Sequence, residues 1–249
     1  MTQSRNRLRR LGLCAIGLVA LVAVANVPTT TYQGVNFVVS ARTLPAYVKA
    51  LDFADRDANY KGLARQIAGR ASSDEARLRA VFDWTRANIR DTPTGFPVVD
   101  DHVWHIIIRG YGEDDQKADV CTTLLTYAGV RAYWIFIGLR PELVLSFVKA
   151  DGAWRVLDVA NGVMFRSRDG HLATADDVAA DPGFAAAQGP AVYRGVQYAA
   201  LFDGFRAPIP PDLTRADMQV PGARTWFAIK RWLGSGGRQW EMRPASRHK

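Results

Sequence analysis

Asp151-Gly152 separates two apolar runs, residues 143–149 and 153–158, and ties them into an antiparallel hairpin. A third run, residues 131–137, follows Ala128-Gly129-Val130, where a glycine marks a helix end before a strand. After a short strand over residues 32–40, most of what precedes these strands reads as helix. Pro45 suits a first helical turn, and Val48, Leu51, Leu63 and Ile67 share one face over residues 45–68. Ser72 and Glu75 form a capping-box pair opening a second helix to about residue 89, with Leu78, Val81, Phe82 and Ile89 turned inward. A Pro/Gly-punctuated connection over residues 91–113, with an apolar piece from Val103 to Ile108, leads into a third helix of about residues 115–128. Helices feeding an antiparallel sheet make an α+β layer architecture.

The helix start at residues 110–118, Gly-Tyr-Gly-Glu-Asp-Asp-Gln-Lys-Ala, runs into Leu124-Leu125 and Ala128-Gly129-Val130. Before it stands Phe82-Asp83-Trp84-Thr85-Arg86-Ala87-Asn88-Ile89, and after it the hairpin ending Gly152-Ala153-Trp154 and Leu157-Asp158. In this order the segments resemble the transglutaminase-like superfamily, over residues 72–162. The resemblance implies a transglutaminase/papain-like core, with a central helix packed on an antiparallel sheet. It also implies a Cys–His–Asp triad in which imidazole takes the thiol proton and a carboxylate orients the imidazole. Carried over by position, the nucleophile falls on Asp114, the base on Val144 (or Leu143), and the acid on Asp158.

Two of those roles are chemically absent. A thiol at a helix N-terminus is activated by unpaired N–H groups and the helix dipole. A carboxylate there instead caps the helix, and either Asp114 or Asp115 suits that position. The remaining thiol of the body, Cys121, lies two turns further along, about 10 Å down the helix, in a stripe with Ala118, Leu125 and Ala128. It reads as a core cysteine. Asp158 retains a structural use, accepting hydrogen bonds at a strand end.

His102, Trp104, His105, Arg109 and Tyr111 precede the helix start and are the candidate binding residues, whether they contact a ligand or pack beneath the loop. No metal site is expected, because His102 and His105 lack the zinc-protease spacing. No cofactor is expected. His171 in a turn and His248 in the tail have no partner nearby in sequence.

Net charge is +8. Four arginines lie in the first ten residues, and seven basic residues against one acidic follow from position 221. A nucleic-acid binder carries its charge on the folded domain, so no nucleic-acid partner is expected. Residues 11–27 are uncharged behind Arg5, Arg7, Arg9 and Arg10, which reads as an N-terminal membrane segment. It is either a signal anchor or, with Ala23-Val24-Ala25 as a cleavage site, a removable signal peptide. Cys14 is preceded by Leu13, which argues against a lipoprotein. Trp226, Ile229, Trp232 and Leu233 share a face of a basic amphipathic stretch, which suits a membrane interface or a helix docked on the domain.

The expected divisions are residues 1–27 (signal or anchor), 28–71 (strand, read over 32–40, and helix), 72–162 (core), 163–220 (extension) and 221–249 (basic tail, disordered after Gly234). The expected protein is exported to the bacterial inner membrane facing the periplasm, or released into the periplasm. Without nucleophile and base, it binds an envelope protein, peptide or glycan in the former active-site groove. The alternatives are a cysteine peptidase or acyltransferase using Cys121, and an acid- or metal-assisted hydrolase using His102, His105 and Asp114.

Overall fold

The computed structural model describes residues 2–36, 38–100, 102–138 and 141–234, with backbone alone for 2–10, 228, 231 and 232. The chain runs α1 (Thr2–Ala25), β1 (Pro28–Val35), β2 (Val38–Pro45), α2 (Ala46–Ala68) and α3 (Asp74–Asn88). It continues through β3 (Val99–Asp100), α4 (Val103–Arg109), α5 (Asp114–Tyr127), β4 (Ala132–Ile137), β5 (Leu143–Ala150) and β6 (Ala153–Asp158). β7 (Val163–Met164), α6 (Ala175–Ala180), α7 (Pro182–Ala186), β8 (Val192–Tyr193), β9 (Val196–Gln197) and α8 (Pro221–Trp232) complete it.

The main sheet has the antiparallel order β4-β5-β6-β7. At its hairpin, Asp151 (φ 50°) and Gly152 (φ 81°) both adopt positive φ, the geometry whose twist matches the flanking strands. The sheet is covered on both sides, so β5 is buried along almost its whole length and reads as one apolar run. One face, with Ala132, Val148, Ala150 and Leu157, packs on Cys121, Leu124 and Leu125 of α5, backed by α2, α3 and α4. The other, with Tyr133, Leu145, Phe147 and Val156, packs on Phe165, Val178, Tyr198 and Phe202 from the C-terminal half.

Helix α3 buries Leu78, Val81 and Phe82, with Ile89 just beyond its end, as predicted. Its cap is Ser73, whose hydroxyl accepts from the Ala76 N–H at 3.1 Å, one residue after the predicted Ser72. Helix α2 follows its predicted limits but buries Tyr60, Ala64 and Ala68, while Leu51 is exposed. Tyr60 stacks on Tyr127 and meets Trp104 edge-on, which fastens α2 to α5 and α4.

Three expectations are corrected. Residues 32–40 are not one strand: β1 and β2 form a hairpin, with Asn36 at positive φ in the turn. The connection before α5 contains the helix α4 and the strand β3, which pairs with β1. Of the two readings of the N-terminal segment, the spanning anchor is the one corrected: the segment is an α-helix ending at Ala25, closed by the Asn26 side chain donating to the Val22 carbonyl at 2.8 Å. Its uncharged part rises about 22 Å, against about 30 Å of bilayer hydrocarbon. Among the described residues, no helix is long and apolar enough to cross a membrane. The stretch after Gly234 and the Trp232 side chain lie outside the described residues.

Gly152→Ala puts a Cβ at positive φ with no neighbour to offset the strain. The change is expected to lower unfolding free energy by about 1–2 kcal/mol. Urea titration with an unchanged slope checks it.

Candidate functional site

Helix α5 begins where three segments meet. Gly110 ends α4 at φ 69°. Arg90 accepts from the Gly112 N–H and donates to the Gly110 carbonyl, both at 3.0 Å. Glu113, not Asp114 or Asp115, is the N-cap, and it forms a capping box with Gln116. The Gln116 Oε1 accepts from the Glu113 N–H and from Arg109 Nη2 (both 3.1 Å), while its Nε2 donates to the Val99 carbonyl at 2.7 Å. A Cβ on residue 112 would come within 2.8 Å of the Gln116 Oε1, so only glycine fits there.

Asp114 is therefore the first helical residue, and it is closed off rather than open to substrate. Its Oδ2 accepts from the Tyr193 hydroxyl at 2.6 Å and from Arg194 Nη2 at 3.0 Å. Its Oδ1 lies 3.8 Å from Lys117 Nζ, and the side chain is 14% exposed. Tyr193 and Arg194 belong to the β8–β9 hairpin, whose two-residue turn places Arg194 (φ 48°) and Gly195 (φ 84°) at positive φ. Burial, followed by the Asp114 carboxylate, pushes the Tyr193 phenol above its usual range, so it stays a donor.

Asp158 is fully buried and answers to the same C-terminal half. It accepts from the Tyr198 hydroxyl (2.6 Å), the Asn161 N–H (2.9 Å) and the Asn161 Nδ2 (2.7 Å). Burial raises its pKa, the Tyr198 and Asn161 bonds oppose this, and the Asp114 charge adds to it. At the position expected for a base, Val144 packs against Ala118 and Trp134. Leu143 faces the opposite cluster. Cys121 is fully buried beside the Thr85 hydroxyl, and burial pushes its thiol up to about 12. The site thus holds two hydrogen-bonded carboxylates and a protonated, enclosed thiol.

The candidate binding residues fall into two groups. Arg109 and Tyr111 flank the helix start. Arg109 donates to the Tyr111 carbonyl at 3.1 Å and to the Val99 carbonyl at 2.8 Å. Its guanidinium also lies over the Tyr111 ring, which meets Phe96 edge-on. His102 and His105 sit at the far end of α4, their rings 5.7 Å apart, and Trp104 turns inward onto Tyr60. Among the described residues, no three His, Cys, Asp or Glu side chains cluster as a metal site would require.

Sequence reasoning missed Tyr193, Arg194, Tyr198 and Asn161. An Arg-Gly turn is a weaker hairpin signal than Asn-Gly or Asp-Gly. A buried trio also escaped notice: Asp119 accepts from Trp134 Nε1 at 2.6 Å and pairs with Arg215 Nε at 2.8 Å.

No protein-family profile matches the chain, and no curated protein matches its sequence. Among solved structures, it is similar to a candidate cysteine protease from Cytophaga hutchinsonii, at 16% identity over 43% of this chain and 39% of that one, with a TM-score of 0.37. A candidate protease from Parabacteroides distasonis shares 13% identity over 51% of this chain and 37% of that one, with a TM-score of 0.35. A protein described as a TGase shares 10% identity over 58% of this chain and 46% of that one, with a TM-score of 0.33. The chain spans less than half the length of each, and these values stop short of placing it in a family.

Two measurements probe the site. The Asp115 carboxyl is pushed up to about 6, first by burial and then by the Asp119 charge, with Arg215 opposing. The native state thus holds a proton that the unfolded chain releases at the ordinary value of 3.8. This contribution is complete below that value and is lost as pH rises through about 6. Asp115→Asn is expected to add about 3 kcal/mol at pH 8 and almost nothing at pH 3, by urea unfolding. An equal gain at both pH values would contradict the assignment. Separately, iodoacetamide at pH 8 should label the exposed Cys14 in the native protein and reach Cys121 only after denaturation, read by mass.

Proposed function

We propose that this is an exported, non-catalytic protein on a transglutaminase/papain-like frame, which binds an envelope polymer of peptide or glycan beside the start of α5. The observation that carries the reading is the state of the nucleophile position. Asp114 is tied by Tyr193 and Arg194, Val144 stands where a base would be needed, and the body's thiol is sealed at the centre of the core. Acyl transfer requires an accessible thiolate beside a base, and a triad acts as a unit.

What remains at the surface is suited to holding a chain. Phe96 is exposed and, with Tyr111 and the Arg109 guanidinium, makes an aromatic and cationic platform next to β3. Flat rings stack on sugar faces and peptide planes at little entropic cost. His102 and His105 extend the polar surface along α4.

Placement at an envelope draws on the two terminal helices. Leu13, Ile16, Leu18, Val19 and Val22 of α1 are exposed, as are Trp226 and Ile229 of α8, with Lys230 over the Trp226 ring. The basic, tryptophan-bearing stripe of α8 suits a membrane interface, while α1 offers exposed apolar side chains on every side.

Co-sedimentation with isolated bacterial cell-wall sacculi tests the reading, alongside a fluorescent-amine transamidation assay. The full chain is expected to pellet with sacculi, Phe96→Ala and Tyr111→Ala to weaken this by about tenfold, and no variant to incorporate amine. Thiol-dependent incorporation that disappears in Cys121→Ala would overturn the non-catalytic assignment. Unchanged pelleting by both aromatic variants would overturn the platform.

A further inference from the structure

A cavity of about 220 Å³ opens beside the same helix start, between the end of α3, the first turns of α5 and the segment after β6. Arg86, Arg90 and Lys117 line it, against one carboxylate, Asp91. The remaining wall is mostly apolar, including Ile89 and Val159.

Each cation is held in place differently. The Lys117 side chain is 7% exposed, so its stem is fixed and its ammonium cannot swing out into water. Arg86 Nη1 donates to the Ala160 carbonyl at 3.3 Å. Its guanidinium occupies the space a Cβ at residue 162 would need, so Gly162 shapes the turn around it. Arg90 is exposed, but its backbone is pinned by the bridge to Tyr111. Lys117 and Arg86 are thus held by their neighbours, whereas the exposed Arg90 side chain is placed through its backbone alone.

The balancing anion is the loose member. Asp91 pairs with Lys117 although its own side chain is 90% exposed. An ion pair with a solvent-facing carboxylate is weak, about 0–1 kcal/mol. A buried ammonium nonetheless requires a partner, and Asp114 at 3.8 Å is shared with Tyr193 and Arg194. An incoming anion that replaced Asp91 would keep Lys117 paired and add charge-assisted bonds from Arg86 and Arg90.

We infer that this cavity binds an anionic group, a carboxylate or a phosphate, held by Arg86, Arg90 and Lys117, with Asp91 as a built-in competitor. The inference deepens the binding reading above and rests on it: the polymer recognised beside α5 carries acidic groups, and the cavity takes one of them. The Arg90–Tyr111 bridge joins the backbone of the cavity wall to that of the aromatic platform.

Calorimetric titration of the full chain with inorganic phosphate, and separately with glutarate, tests this at matched ionic strength against chloride. Saturable binding of one or both is expected, and the tighter of the two identifies the source of the anion. Arg90→Ala should weaken binding about fivefold or more, and Asp91→Asn should tighten it by a similar factor. Both side chains are exposed, and in Asp91→Asn the amide oxygen still accepts from Lys117, with Asp114 at 3.8 Å as its remaining carboxylate. Opposite signs from the two neighbours support the site. No saturable binding, or an Asp91→Asn protein that binds no better than wild type, overturns it. Sacculi that pellet the protein while neither anion titrates would sink this inference alone. Anion binding without pelleting would sink the polymer reading and leave the cavity assignment supported.

Discussion

The carboxamide of Gln116 is the junction on which this architecture depends. A helix start leaves its first N–H groups unpaired, and burying one without partners is costly. Here Gln116 accepts from the Glu113 N–H and from Arg109 while donating to Val99, so one side chain joins α5, α4 and β3. The close approach needed for this leaves room only for glycine at position 112. Asp114, Asp115 and Lys117 then take their directions from a fixed first turn. Asp114 lies at the positive end of the helix dipole, where negative charge is favoured, whereas burial outweighs the dipole at Asp115.

Around that turn, the molecule handles buried charge with partners from distant parts of the chain. Asp119 meets Trp134 and Arg215, Asp158 meets Tyr198 and Asn161, and Asp114 meets Tyr193 and Arg194. Removing one member from such a set leaves an uncompensated polar group in low dielectric, so each set ties the C-terminal half to the helix–sheet frame. The second half of the chain is consequently part of the site and not an appendage to it. Tyr193 and Arg194 cover the Asp114 carboxylate at the start of α5.

The central frame was legible because its signals are local. Asp151-Gly152 set the hairpin, alternating and continuous apolar runs set β4 to β6, and the inward stripe of α3 appeared residue for residue. The cap of α5 was missed because Glu is an uncommon N-cap and two aspartates beside it compete for the role. The β1–β2 hairpin was missed because its turn, at Asn36, interrupts what reads as one apolar strand. The triad-matching positions could be counted along the chain, but what covers them could not. Pairings such as Tyr193 with Asp114 join residues 79 positions apart and leave no periodic trace in the sequence. The cavity beside Lys117 is likewise assembled from three separate segments.

Closure of the helix start by the β8–β9 hairpin also orders events in time. Residue 114 leaves a ribosome long before residues 193 and 194, at separations of 79 and 80 positions. Contacts that close such long loops form late, after local helices and the β5–β6 pair. A nascent chain therefore presents its acidic helix end while the next 79 residues are made, and its apolar sheet face until Tyr198 and Phe202 emerge to cover it. That interval is when the protein is most open to chaperones and to aggregation.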